Sequence, residues 1–146
     1  MKISKNFRVE EFAVSASFPY LAAPVPLQLQ RNVISLVLAV LQPICDETGW
    51  RDYISSGYRS DALNKAVGGS PTSDHRFGRA ADNNFYRTIA GRREEVAPIE
   101  VARVVQSLGL EYDQMILYPT FVHMGYRLGE NRHMLLYHTT YRGKRL

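Results

Sequence analysis

The chain has 146 residues, of which 45% are hydrophobic and 22% are charged, and its formal net charge is +4. This length suits one domain with a single core, and the composition excludes a disordered or fibrous chain. The only cysteine, Cys45, excludes an intrachain disulfide. The positive charge is compatible with nucleic acid, with an anionic cell-wall polymer, or with a basic surface that has no special partner, which is the commonest case. The basic residues are spread along the chain, which does not favour nucleic acid.

The N-terminal segment contains no apolar run of the length found in secretory signal peptides. The longest apolar segment, residues 33–41, is too short to cross a bilayer. We therefore expect a soluble protein that does not enter a membrane. It would stay in the cytoplasm or reach another site only after release by lysis. The sequence leaves the oligomeric state open and is compatible with a monomer.

The first third of the chain predicts an arm followed by the main helix. Residues 1–27 combine a short amphipathic turn at 7–12 with a proline-rich connector, so we expect an N-terminal arm packed on a single domain that spans 1–146. From Gln28 to about Thr48, apolar residues recur at steps of three and four, which is typical of one buried helical face. Pro43 is expected to kink this helix and Gly49 to end it.

The rest of the chain predicts short strands and two helices. Strands are expected at 53–58, 80–85, 112–117, 120–126 and 134–140, and helices at 60–67 and 98–108. Ser60 is the expected N-cap of the shorter helix, and a loop is expected to lead from it to His75. Helices early in the chain and strands later favour an α+β fold, with an antiparallel sheet and flanking helices.

Three residues have the chemistry of a catalytic zinc site, which needs imidazole or carboxylate ligands and an open position for water. Asp82 follows His75 by seven residues, and Gly78 lets the chain turn between them. On a strand at 120–126, His123 would present its ring on one face. A histidine on a strand is more often a hydrogen-bonded core residue than a ligand, so spacing alone does not decide between the two interpretations.

Several motifs together resemble the M15 family of zinc peptidases, which includes D-alanyl-D-alanine carboxypeptidases and the murein peptidases of phages. They are Ser-Gly-Tyr-Arg-Ser at 56–60, Leu-Asn-Lys-Ala-Val-Gly-Gly at 63–69, Ser-x-His-x-x-Gly-x-Ala-x-Asp at 73–82, and Phe-Val-His at 121–123. The resemblance covers about residues 7–126. It implies the α+β fold shared with hedgehog-type signalling domains, and a Zn²⁺ ion held by His75, Asp82 and His123.

The same resemblance implies roles for two further residues. Arg59 corresponds to the family's arginine near the active site, which holds the substrate carboxylate or the charge that develops on the scissile carbonyl. A planar guanidinium suits both roles because it donates two parallel hydrogen bonds. Ser73 corresponds to the small polar residue that helps to orient the substrate, although a serine that only forms a turn after Pro71 is an equal alternative. His133 and His138 lie outside the motifs and are expected to be surface or hydrogen-bonded residues.

The chain departs from the family pattern where the general base is expected. M15 peptidases have a glutamate or aspartate a few residues before the third ligand, but residues 114–122 contain no acid. Strand alternation would place residue 117 on the face of His123, yet Pro119 leaves either 117 or 118 as the equivalent position. Three explanations stay open: an acid such as Asp113, Glu111 or Glu130 reaches the site, Tyr118 partly replaces the base, or turnover is impaired.

Two functions follow as hypotheses. The first is a zinc-dependent peptidase that uses a metal-activated water to hydrolyse a bond involving a D-amino acid in peptidoglycan stem peptides, as a carboxypeptidase or an endopeptidase. Arg59 and Asp113 are then the candidate catalytic residues, and Arg59, Ser73 and Tyr118 the candidate substrate-binding residues. The second is a zinc-stabilised, catalytically impaired module that binds a cell-wall peptide or a protein partner.

Overall fold

The computed structural model describes residues Met1–Leu146 and has mixed α+β architecture. Its helices are α1 (Gln30–Leu36), α2 (Gln42–Thr48), α3 (Asp61–Ala66) and α4 (Pro98–Leu108). Single 3-10 turns cover Val9–Phe12, Pro19–Leu21, Leu27–Leu29 and Asp74–Phe77. The strands are β1 (Arg51–Ser56), β2 (Ala80–Ile89), β3 (Arg92–Glu95), β4 (Gln114–Leu117), β5 (Val122–Gly125) and β6 (Met134–Tyr137).

The predicted main helix forms, but it contains one wider turn. A π-helical turn at Val37–Leu41 joins α1 to α2 and ends two residues before Pro43. Proline has no N–H group, and its ring crowds the carbonyl four residues earlier, so a regular helix is strained there. A π turn has hydrogen bonds between residues five apart, in place of the four of an α-helix. Gly49 ends α2 in the left-handed conformation, with φ of 74°.

The six strands form one sheet in the order β1-β2-β5-β4-β6, with β3 paired to the distal half of β2. All pairs are antiparallel except β4 with β6, which run parallel. The β2–β3 hairpin was not expected from the sequence, because β3 reads Arg-Arg-Glu-Glu and lacks the alternation of apolar residues that identifies a half-buried strand. Its four residues are exposed, and cross-strand pairing with β2 holds them.

One face of the sheet packs on the helices and the other is open. Strand alternation sends Met115 and Leu117 of β4, and Val122 and Met124 of β5, into a core cluster of 25 buried residues. The N-terminal arm supplies Phe7, Phe12 and Val25 to the same cluster. The intervening strand residues therefore face the open side, where the functional candidates lie. No helix in the structure has the length and apolar character needed to span a membrane.

Candidate metal centre

Two of the three predicted ligands are brought together by strand register. Asp82 of β2 lies directly opposite His123 of β5, and both side chains point to the open face of the sheet. His123 Nδ1 is 3.1 Å from Asp82 Oδ1. Neighbouring strands place directly opposed side chains about 5 Å apart, so this contact follows from the backbone pairing.

The third predicted ligand, His75, lies outside the sheet. His75 lies on the 3-10 turn Asp74–Phe77, where the sequence indicated only a loop, and Gly78 ends that turn with φ of 68°. His75 Nδ1 donates a hydrogen bond of 2.8 Å to the carbonyl oxygen of Gly57. The ring is therefore protonated on Nδ1, which leaves the Nε2 lone pair free at 3.4 Å from Asp82 Oδ1.

The carbonyl that orients His75 is itself fixed by the N-terminal arm. Tyr58 N donates to Phe12 O at 2.8 Å, and a Cβ atom on Gly57 would lie 2.3 Å from that same oxygen. Only glycine permits so close an approach of the two backbones. The arm thus supports the metal centre through Gly57, and not only through its contribution to the core.

The donor set fits a divalent metal ion such as zinc. The ligand atoms of His75, Asp82 and His123 all lie within 4.8 Å of one another, and two imidazoles with one carboxylate form a common catalytic zinc set. Burial lowers the pKa of His75, which favours the neutral ring that a metal requires. Burial opposes ionisation of Asp82, but the two histidines outweigh it and hold its pKa below the usual range.

Arg59 lies beside this cluster with spare hydrogen-bonding capacity. Its backbone N–H donates to His75 O at 3.0 Å, and its guanidinium Nη2 is 4.0 Å from Asp82 Oδ2. The side chain is 15% exposed, and its buried Nε has no hydrogen-bond partner. Burial lowers the pKa of Arg59, but the reference value of 12.5 is high enough to keep the group charged at neutral pH.

Of the two positions at which the acid was expected, residue 118, a tyrosine, lies at the cavity. Its ring is stacked between Phe121 and His138, with both centroid distances at 4.3 Å, and it lines the cavity beside the metal ligands. Leu117, by contrast, is fully buried in the core. Residue 116 lies opposite His123 and shares the open face with it. One regular strand would have put residue 117 on that face, but the turn at 118–121 separates β4 from β5 and changes which residues share a face. Burial raises the pKa of Tyr118, so its hydroxyl stays protonated.

The cavity has a volume of about 420 Å³ and is lined mainly by polar residues. It brings together the three predicted metal ligands with Arg59, Tyr118 and Ser73. It also contains residues that we did not select from the sequence: Asp74, Gln114, Ile116, Arg127 and Arg132. The position of Asp74 next to His75 in the sequence could have indicated the first of these, whereas the placement of Ile116 depends on the register of β4 with β5. The two arginines lie in an irregular segment that carries no such signal.

Asp113 does not reach the cavity. Its side chain has no exposed area, and Arg132 binds it through two hydrogen bonds of 3.0 and 2.8 Å, while Arg127 Nε lies 3.3 Å away. The hydrogen bonds from Arg132 lower the pKa of Asp113 despite its burial. Its role as the general base stays a prediction, and this enclosed position does not favour it.

The other two acids proposed as replacements also lie elsewhere. Glu111 pairs with His133 at 2.5 Å on the surface, and Glu130 is exposed. Neither lines the cavity. Besides the ligand Asp82, Asp74 is the carboxylate that does, and its Oδ1 is already held by Arg79 at 3.3 Å and Arg127 at 3.1 Å.

The fold and this cluster define an α+β protein with a candidate His-Asp-His metal centre at the edge of an open polar cavity. The family described as Peptidase M15 matches residues 5–125, which is more than half of the chain. The chain belongs to the Peptidase M15 family, whose members are metal-dependent. A comparison with curated proteins finds no match.

Proposed function

We propose that the protein is a zinc-dependent peptidase that hydrolyses a peptide bond involving a D-amino acid in peptidoglycan stem peptides. The observation that carries this proposal is the His75, Asp82 and His123 cluster beside a polar cavity, in a chain of the Peptidase M15 family. Zinc bound by these residues would polarise the scissile carbonyl and lower the pKa of water. The residues around the cluster bind and orient the peptide.

Arg59 and Tyr118 suit the stabilisation of negative charge on the substrate. The guanidinium of Arg59 is mostly buried beside the metal-ligand candidates, and its one ion pair, with Asp82 at 4.0 Å, leaves its donors available to a substrate. The hydroxyl of Tyr118 is protonated and its ring is fixed between two other rings. Preorganised donors of this kind act without reorganisation in the transition state. Ser73, on the cavity wall, is a further hydrogen-bonding group for the peptide.

The proposal is tested by incubating the purified protein, loaded with zinc and then depleted of it, with synthetic peptides that end in D-Ala-D-Ala. Mass spectrometry identifies the bond that is cleaved, which also distinguishes a carboxypeptidase from an endopeptidase. Peptides that end in L-Ala-L-Ala serve as the matched control. Cleavage that does not depend on zinc, or equal cleavage of both peptides, would contradict the proposal.

A binding module without efficient turnover is the second candidate. The observation that favours it is the lack of a free carboxylate in the cavity, since Asp82 is a metal ligand and Asp74 is engaged by Arg79 and Arg127. A positioned acid-base group contributes about 10²–10⁴-fold to the rate. We therefore expect turnover to be slow relative to M15 peptidases that retain the acid.

Substitution of Tyr118 separates these two candidates. Tyr118→Phe keeps the stack but removes the hydroxyl, so we expect the rate to fall about 10²-fold with an unchanged melting temperature if the phenol stabilises the oxyanion. Tyr118→Glu should raise the rate by supplying the missing base, because residue 118 faces the cavity. Tyr86→Phe, outside the cavity, is the control. If Tyr118→Glu keeps its zinc and shows no gain, the missing acid does not limit the rate.

Arg59→Lys tests the role of the guanidinium. The lysine keeps the positive charge beside Asp82 but cannot donate two parallel hydrogen bonds, so we expect kcat/KM to fall by about 10-fold or more. The melting temperature should stay within a few degrees of the wild type. Arg87→Lys, which changes an arginine on the distal half of β2, is the matched control. A large loss of stability with intact peptide binding would assign Arg59 to the fold instead.

A further inference from the structure

Three arginines line the cavity, but the proposed chemistry uses only Arg59. The other two, Arg127 and Arg132, follow β5 and precede β6, and thus lie beyond the opposite end of β5 from the turn that carries Tyr118. Their side chains are 39% and 46% exposed. His123 lies on β5, between the turn that carries Tyr118 and the segment that carries the two arginines. Asp82 lies opposite His123 on β2, so the predicted metal site is between Tyr118 and the arginine pair.

Two buried carboxylates, Asp74 and Asp113, contact the arginine pair. Asp113 accepts two hydrogen bonds from the side chain of Arg132 and lies against Nε of Arg127, while Asp74 accepts one from Arg127 Nη2 at 3.1 Å. A guanidinium has five N–H donors. Arg132 directs two of them to Asp113, so about three remain, and Arg127 likewise has donors left on Nη1 and Nη2.

This arrangement is that of a preformed anion-binding surface. The two aspartates restrict the rotamers of both arginines, so less conformational entropy is lost when a ligand binds. The remaining donors are on groups that are partly exposed at the cavity wall. Arginine presents these donors in a planar fork that matches a carboxylate. The lining carries three arginines against two aspartates, and a divalent ion bound at the ligands would add further positive charge.

We propose that Arg127 and Arg132 form a second anion subsite that binds a carboxylate of the peptide substrate other than the group bound at Arg59. The substrate class is accordingly an acidic peptide, with a side-chain or terminal carboxylate on the far side of the scissile bond from Tyr118. This inference rests on the proposed peptidase function for the identity of the ligand. The anion subsite itself does not require the metal.

The first test compares two fluorescently labelled peptides that end in D-Ala-D-Ala and differ only in an upstream D-glutamate or D-glutamine. We expect the zinc-loaded protein to bind the glutamate peptide about 10-fold more tightly, since hydrogen bonds to a charged group are the stronger ones. In Arg132→Lys the preference should fall below about threefold. The lysine keeps a positive charge beside Asp113, which protects the fold. Arg142→Lys, in the C-terminal tail, is the control.

A second measurement separates the subsite from the peptidase function. Side-chain N–H resonances of Arg127 and Arg132 are followed by NMR in the zinc-free protein during titration with N-acetylglycine, and with N-acetylglycinamide at matched ionic strength. We expect saturable shifts with N-acetylglycine, which carries a carboxylate, and none with N-acetylglycinamide, which does not. If both arginines shift but the zinc-loaded protein cleaves no peptide, the subsite stands and the peptidase function fails. If neither arginine shifts, or the wild type binds both peptides equally, the subsite is refuted.

Discussion

The double variant His75→Ala, His123→Ala is expected to lose the metal after dialysis, whereas the wild type should retain about one zinc ion per chain. Removal of both imidazoles leaves Asp82 alone in a set whose ligand atoms lie within 4.8 Å of one another. We expect zinc affinity to fall by at least about 100-fold, because even loss of a residue that only orients a ligand costs about 10–100-fold. Metal analysis and a competition titration with a chelator measure the effect.

Thermal unfolding gives an independent measure of the same prediction. Zinc that binds the folded state should raise the melting temperature of the wild type by about 5 °C or more when it is well above its dissociation constant. The double variant should show no such rise. His133→Ala is the matched control, because His133 pairs with Glu111 on the surface and lies outside the cluster. Equal zinc content in the wild type and the double variant would show that the ligand assignment is wrong.

Asp113→Asn is expected to destabilise the protein by about 3 kcal/mol, although it preserves the shape of the side chain. The carboxylate is inaccessible to solvent and lies between Arg127 and Arg132, so the neutral amide weakens the charge-assisted hydrogen bonds from Arg132 and the attraction to Arg127. Chemical denaturation measures the loss. Asp61→Asn is the matched control, because the Asp61 side chain is 87% exposed and its pair with Arg76 should contribute little.

The pH dependence of this difference has a defined sign. Because Arg132 holds the pKa of Asp113 below its reference value of 3.8, the stabilisation is fully present above that value. It is lost as the pH falls through the lower pKa of the folded state. The stability of the wild type should therefore approach that of Asp113→Asn only in acid. A stability difference that grows as the pH falls would contradict the ion-pair assignment.

Kinetics of the same variant test whether Asp113 is the base. If it only positions the two arginines, KM for the D-glutamate peptide should rise several-fold while kcat per folded molecule stays within about threefold. A general base would instead lower kcat by about 10²–10⁴-fold. The second outcome would restore Asp113 as a catalytic residue and would end the case for an impaired binding module.

The sequence alone was sufficient to predict the family and the α+β class, and the three residues that it indicated as metal ligands do cluster in the structure. Their role as ligands stays a prediction. The helical period at 28–48 and the glycines at 49 and 109 predicted α1, α2 and the end of α4, because these signals are local. The ligand assignment rested on the resemblance of the motifs at 73–82 and 121–123 to the M15 family. The spacing of these residues in the sequence does not by itself show that their side chains lie close together. Family membership from the comparison agrees with that resemblance over residues 5–125.

Only the tertiary structure decided which groups share the cavity. Register between β4 and β5 places Ile116 opposite His123, leaves Leu117 in the core, and presents Tyr118 to the cavity from the turn that follows. The enclosure of Asp113 and the arrival of Arg127 and Arg132 at the cavity wall depend on contacts between segments far apart in the chain. Such contacts follow from strand pairing and burial, which the order of residues in one segment does not specify.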